Sequence, residues 1–269
     1  MIITLTTDWG QNDFYTGMLK GRIISAFPNA TLIDLAHNVP QYSIDKAAFI
    51  VRHSYSSFPA KSVHVIMVNS EIVVKSRFLI TENNNQIFVV PDNGAISLLF
   101  NSPPENVYAV SYDVTGSFAS LNCIANIFSK LASDQPLSEI GEFTNDFITK
   151  TPIKATWDES LIIGNVIYID SYYNAISNIS RKMFDKIGQG RQFDIYVQSH
   201  HNRVKNLSIT YNQVPSGELL ALFNSADLLE VAIRDGFAAQ LLNLSVGSEV
   251  KVKFATQNKI ISGDQPTLW

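Results

Sequence analysis

Residues 2–7, Ile2-Ile3-Thr4-Leu5-Thr6-Thr7, read as a strand that ends in the turn Asp8-Trp9-Gly10, and a helix opens a few residues later at Asp13-Phe14-Tyr15. A strand passing so quickly into a helix is the repeating unit of α/β folds. Through about residue 135 the chain keeps alternating strand-like and helix-like patterns, which predicts a mostly parallel central sheet. In an open sheet of that kind, a carboxylate just beyond the carboxyl end of a strand lies in the crevice where small ligands are held. Asp8 is therefore a candidate ligand contact.

Tyr15, Leu19, Ile23 and Phe27 recur every four residues and predict one buried helical face. Gly17 and Gly21 on the same helix predict close approach to the sheet, and Pro28 ends it. Residues 31–35 read as a second strand, residues 43–56 as a helix capped by Ser43, and residues 63–68 as a third strand. Residues 77–80 and 86–90 flank the polar turn Glu82-Asn83-Asn84-Asn85 as a hairpin, with helices near residues 95–100 and 121–132. Asp134, Pro136, Gly141, Asn145 and Pro152 interrupt the pattern over residues 133–158, where a linker is expected. The expectation is an α/β domain over residues 1–150 and a smaller C-terminal β-barrel domain over residues 151–269. The latter is built from runs at 161–169, 192–198, 204–211, 219–223, 228–233 and 250–254. His200-His201-Asn202-Arg203 reads as a surface turn.

Composition narrows the function. Twenty basic and twenty-four acidic residues give a net charge of −4 with no long run of either sign, so no nucleic-acid partner is expected. Cys123 is the only cysteine, which rules out an internal disulfide and fits a reducing, cytoplasmic setting. No stretch reads as a membrane span or a cleavable leader, and no His/Asp/Glu set has metal-ligand spacing, so neither membrane nor metal is expected. Gly188-Gln189-Gly190 lacks the strand-to-helix setting of a dinucleotide fingerprint.

Two constellations carry chemistry. Asp8 and Asp13 flank Gly10: one ionised carboxylate can accept both hydrogen bonds of a ribose diol, and a second can pair with an ammonium group. An ordinary turn with Asp13 capping the following helix fits the same residues. Further on, Tyr172-Tyr173-Asn174 offers an aromatic face for a purine and an amide for its edge, or simply a strand-end turn with an aromatic packed beneath it.

The run from Thr6 through Gly17, with Lys20-Gly21 after it, resembles the opening motif of the S-adenosylmethionine (SAM) hydroxide adenosyltransferases, also called SAM hydrolases, which are related to the fluorinating and chlorinating SAM enzymes. The likeness continues in order through Asp34-Leu35-Ala36-His37, Pro91-Asp92-Asn93-Gly94, the segment Asp170 to Ile179, and Phe223-Asn224-Ser225 with Leu229-Glu230-Val231-Ala232. It implies a homotrimer whose SAM sites lie between the N-domain of one subunit and the C-domain of the next, with SAM as substrate or ligand and no further cofactor. By position, Asp8 would hold the ribose hydroxyls, Asp13 would lie near the methionine amino group, and Tyr42 would lie beside the ligand. Tyr172 and Asn174 would surround the adenine, and Ser225 would lie near the methionine end.

The same likeness exposes a departure. The family activates water with an Asp, an Arg and a His, but the matching positions here hold Asn69, Ser76 and Ala119. An amide is no general base, and an alanine offers nothing. Glu71 and Arg77, in the same loop as Asn69, are the candidates for a substitute pair, or else an ordinary solvated ion pair. Asp227 stands where the family usually has Gly. Ser120 matches a halide-contacting serine of the fluorinating enzymes, yet the loop those enzymes insert after the third strand is missing, which argues against halogenation. Two expectations follow: a SAM hydrolase forming adenosine and methionine by attack at C5′, or a catalytically silent relative that binds SAM or adenosine.

Overall fold

Apolar Ile3 and Leu5 alternate with Thr4 and Thr6 along the first strand, and all four are fully buried, so this strand is covered on both faces. The structure, a computed structural model, describes residues 1–71 and 75–256. It forms two units, Met1–Pro152 and Ile153–Trp269.

The first unit runs β1 (Ile2–Thr7), α1 (Phe14–Ala26), β2 (Thr31–Ala36), α2 (Ile44–Ser54), β3 (Val63–Met67), β4 (Arg77–Asn83), β5 (Gln86–Pro91), α3 (Ala95–Leu99), β6 (Val107–Ser111), α4 (Ser120–Ala132), α5 (Leu137–Ile140) and β7 (Glu142–Phe143). Its sheet has the order β2-β1-β3-β5-β4-β6-β7. The first four strands in that order run parallel, and β4, β6 and β7 are antiparallel, giving the mixed, mostly parallel sheet of an α/β unit. Helices cover both faces. Leu19 and Ile23 of α1 pack with Ile124, Ile127 and Phe128 of α4 on one side, and Ile44, Ala47 and Val51 of α2 pack with Ile96 of α3 on the other.

This order makes the carboxyl end of β1 special. The chain goes from β1 to β2 on one side of β1, then crosses back through α2 to β3 on the other, so the connections diverge there. Such a topological switch point leaves a crevice that neither crossover fills.

The second unit runs β8 (Thr156–Trp157), β9 (Leu161–Ile169), β10 (Ala175–Ser180), α6 (Arg181–Gly188), β11 (Phe193–Val197), β12 (Ser199–Val204), β13 (Leu219–Phe223), β14 (Leu228–Ile233), α7 (Ala238–Leu241) and β15 (Glu249–Phe254). The antiparallel order β12-β11-β15-β9-β10-β14-β13 begins and ends on consecutive strands. Leu207, just past β12, bridges Ala221 of β13, so the sheet curls into a nearly closed barrel around Ile162, Val166, Ile195, Val231 and Val252.

Two local expectations are corrected. Gly17 and Gly21 lie on the exposed side of α1, where an added Cβ would meet nothing within 4 Å, so they allow no close approach to the sheet. The strand expected at 204–211 lies earlier, as β12, and takes in the histidine pair expected in a turn. Gln198, at φ 59°, closes a hairpin that pairs Val197 with Ser199, and the chain then leaves the sheet with Ile209 84% exposed.

His64 of β3 is buried between the layers. Gln86 donates through Nε2 to the Phe58 carbonyl (2.8 Å), so its Oε1 is the acceptor for His64 Nε2–H (2.8 Å). Nδ1 then accepts from the Thr4 hydroxyl (2.8 Å), and the imidazole is neutral. Burial pushes its pKa below 6.5, while the Gln86 bond opposes that shift only in part. Because the unfolded chain takes up this proton first, the stabilisation is complete above about pH 6.5 and is lost as pH falls below it, by at most about 1.4 kcal/mol per pH unit. Denaturant unfolding between pH 7.5 and 5.5 should show this decline, and His64→Asn should flatten it.

Candidate functional site

The polypeptide turns sharply after β1 because Gly10 takes φ +85°, a conformation open to glycine. The turn is held from β2: Gly10 N donates to the His37 carbonyl (2.8 Å) and Gln11 N to Asn38 Oδ1 (3.2 Å). His37 is itself fixed by Thr7 Oγ1, 3.0 Å from Nδ1. Its Nε2 lies 2.9 Å from Asp34 Oδ1. Thr7, His37 and Asp34 thus have a hydroxyl–imidazole–carboxylate order, but Thr7 is fully buried, so the arrangement is scaffolding.

The carboxylate so presented gathers the neighbouring loops. Asp8 Oδ2 accepts from Tyr42 N (2.9 Å), after β2, and from Asn69 N (3.2 Å), after β3. Oδ1 accepts nothing from the described residues. Tyr42 (φ 64°), Asn69 (φ 50°) and Phe118 (φ 56°) all lie in the left-handed region, and all three line one open cleft of about 280 Å³ with Asp8, Asp13, Tyr15 and Glu71. Strained residues of this kind persist where the surroundings over-determine them, and they gather at ligand sites. Phe118 is clamped by aromatics, stacked on Tyr15 at 3.6 Å and edge-on to Trp9 at 5.5 Å.

The remaining predicted residues separate. Asp13 lines the cleft and caps α1, accepting from Tyr15 N (3.0 Å), as the capping reading expects. Glu71 lines the cleft and accepts a short hydrogen bond from the Ser120 hydroxyl and a longer one from Ser70 Oγ (3.4 Å). Arg77 is not brought to Glu71. Its guanidinium binds the fully buried Asp92 (Nε–Oδ2 2.8 Å) and the Asp146 carbonyl, and it does not line the cleft. Ser76 and Ala119 do not line it either. Of the segment Asn69 to Arg77, residues 72–74 lie outside the described residues.

The Pro91-Asp92-Asn93-Gly94 motif proves to be a bracket. Asp92 Oδ1 accepts from Ile148 N (2.8 Å), while Asn93 Nδ2 donates to the Val68 and Asn69 carbonyls (2.9 and 3.2 Å) and holds Asn69 in its unusual conformation. Asn69 Oδ1 is buried without a partner, so the amide presents no acceptor to the cleft. Gln41 and Ser70 also line the cleft without any sequence signal; only the topology brings them there. Among the described residues no group of three or more His, Cys, Asp or Glu side chains could hold a metal ion, and no helix is long and apolar enough to cross a membrane.

In the second unit, Asp170 organises the turn after β9, accepting from Tyr172 N (2.9 Å) and Asn174 N (2.8 Å) through Oδ1 and from Asn174 Nδ2 (3.1 Å) through Oδ2. Asn174 is buried, whereas Tyr172 is 73% exposed. Ser225 is exposed in a turn shaped by Asn224, whose Oδ1 accepts from Ala226 N (2.9 Å). Buried Glu230 grips that Asn224 amide (3.1 Å) and the Tyr211 hydroxyl (2.7 Å). Burial and this carboxylate push the Tyr211 pKa up. Asp227 adopts φ 55°, a glycine-like conformation, and contacts Arg181 Nε at 3.3 Å.

Comparison with known proteins decides the family. Models of the SAM hydroxide adenosyltransferase N-terminal and C-terminal domains match residues 3–141 and 164–251. The chain belongs to this family. It is 24% identical over 265 residues to the (R)-S-adenosyl-L-methionine hydrolase of Methanocaldococcus jannaschii, covering 93% of this chain and 95% of that protein. It is 22% identical over 294 residues to the fluorinase of Nocardia brasiliensis, covering 94% and 96%. The fold matches an uncharacterised conserved protein of Thermotoga maritima with a TM-score of 0.83 and 25% identity, covering 94% of this chain and all of that one.

Arg77→Met should act on stability. It strands the fully buried Asp92 carboxylate, which costs about 3–5 kcal/mol when a buried pair loses one partner. Chemical denaturation against the wild-type chain measures the difference.

Proposed function

We propose that this chain binds SAM and hydrolyses it to adenosine and methionine by attack of water at C5′. The observation that carries this reading is Asp8 at the topological switch point, with Oδ2 committed to two backbone amides and Oδ1 open for ribose hydroxyls. Two fixed donors keep the carboxylate oriented before the ligand arrives, so little ordering remains to be done on binding. Asp13, one oxygen already capping α1, offers the other to the methionine ammonium. Tyr42 lies beside the ribose end.

The cleft, at about 280 Å³, is at the lower edge of the roughly 300–1,000 Å³ typical of sites that enclose drug-sized ligands. This supports a reading in which the first unit holds only part of SAM. In that reading the protein is a homotrimer, and Tyr172, Asn174 and Ser225 of another subunit complete the adenine and methionine ends. The exposure of Tyr172, a large aromatic on a rigidly held turn, suits such a role. The departing thioether is neutral and needs no proton, so SAM enters as substrate without a cofactor, in a cytoplasmic setting.

A second reading is a silent SAM- or adenosine-binding relative. Asn69 favours it, because the family's base position here holds an amide whose oxygen is turned out of solvent. Halogenation is disfavoured by the Ser120 hydroxyl, which donates to the Glu71 carboxylate; a halide there would meet an anion in place of a free donor.

Calorimetry and chromatography test these readings together. Wild-type protein should bind SAM, release adenosine and methionine, and form no chlorinated nucleoside in chloride. Removing a charge-assisted hydrogen-bond acceptor costs about 1.5–3 kcal/mol, so Asp8→Ala should weaken SAM binding by roughly 10–100-fold. Binding without adenosine would favour the silent relative. No binding of SAM or adenosine would overturn both.

A further inference from the structure

The water-activating residues of the family are replaced here, and the cleft contains its own alternative. Three carboxylates line it: Asp8, Asp13 and Glu71. Asp8 holds the Tyr42 and Asn69 amides through Oδ2 and keeps Oδ1 for the ribose, and Asp13 caps α1 through Oδ1 and keeps its other oxygen for the ammonium. Both are backbone-bonded parts of the turns they shape. Glu71 alone is held by side-chain hydroxyls, those of Ser120 and Ser70, and both bonds fall on Oε1. Oε2 accepts nothing from the described residues.

Resting on the reading of SAM hydrolysis, we propose that Glu71 is the general base that activates water, with Ser120 as its positioning residue. The arrangement has the required parts. Ser120 is fully buried as the first residue of α4, so its hydroxyl is a fixed donor that orients the carboxylate. The N-terminal end of a 13-residue helix also favours an anion at that place. The loop bearing Glu71 follows β3, the neighbour of β1, and is tied to Asp8 through Asn69 N. The base and the ribose-holding carboxylate therefore lie on loops joined by that hydrogen bond.

In the reaction, water oxygen forms a bond to C5′ as the C5′–S bond breaks, and the bonding pair leaves with sulfur to give neutral methionine thioether. Glu71 Oε2 takes the proton released by the water and passes it to solvent, since the residue is exposed. No redox change occurs, and water is the only co-reactant.

The groups facing Glu71 are Ser120 on α4, Ser70 in its own loop and the Tyr112 hydroxyl just past β6, with Asp8 and Asp13 elsewhere on the cleft wall. Tyr112 is pushed up to about 12 by burial first and by the charge of Glu71 second, so it stays protonated throughout the working range and cannot supply an acidic limb. Asp8 and Asp13 act in binding.

The test compares wild type, Glu71→Gln, Glu71→Asp and Ser120→Ala by calorimetric SAM affinity and by kcat as a function of pH. General-base loss is expected to lower kcat about 10²–10⁴-fold in Glu71→Gln and remove the acidic limb, while SAM affinity stays within about threefold of wild type. Glu71→Asp should lower kcat yet keep a limb, and Ser120→Ala should lower kcat with KM unchanged and displace the limb. An unchanged kcat in Glu71→Gln overturns the proposal. Wild-type protein that binds SAM but forms no adenosine overturns it while leaving the binding reading intact, and a wild type that binds no SAM overturns both.

Discussion

One carboxylate oxygen ties the first unit's functional end together. Asp8 Oδ2 receives amides from the loops after β2 and β3, the two strands flanking β1. Without that acceptor, two backbone donors at the mouth of the crevice would lose their partner, and Tyr42 and Asn69 would lose the bond that favours their left-handed conformations. Neighbouring devices serve the same end. His37 and Asn38 hold the Asp8 turn from one side, and Asn93 holds the Asn69 loop from the other. The cleft wall around Asp8 is thus built from within the fold.

The second unit follows the same economy with different parts. Asp170 shapes the Tyr172–Asn174 turn by accepting three hydrogen bonds, and Glu230 shapes the Ser225 turn by holding Asn224. In both units the motif residues with the most distinctive sequence identity are largely carboxylates and amides that organise backbone. The side chains left exposed, such as Tyr172 and Ser225, are presented by them.

The family relationship and the site geometry divide the chemistry in the same way. On the reading proposed above, the ribose-directed carboxylate is Asp8, and the positions expected to activate water hold Asn69, Ser76 and Ala119. Asn69 donates its N–H to Asp8, while its side-chain Oδ1 is buried without a partner. Binding architecture and proton chemistry are thus separable at a single residue, because one depends on the main chain and the other on the side chain.

Much was legible from local pattern. Strand and helix periods predicted the sheet with helices about it, since burial on one face or two writes itself into residue spacing, and the turn at Asp8 marked the crevice. The smaller barrel was legible as a set of short runs, although Gln198 moved β12 earlier than its composition suggested. Gly17 and Gly21 misled because spacing identifies a helical face without saying what covers it. The sequence by itself determined the family and the two-part architecture. Only the tertiary structure decided that Arg77 serves Asp92, that Glu71 meets Ser120, and that Phe118 stacks on Tyr15. Those partners lie 15, 49 and 103 residues apart, and nothing in a local pattern specifies which buried charge or ring a distant segment will supply.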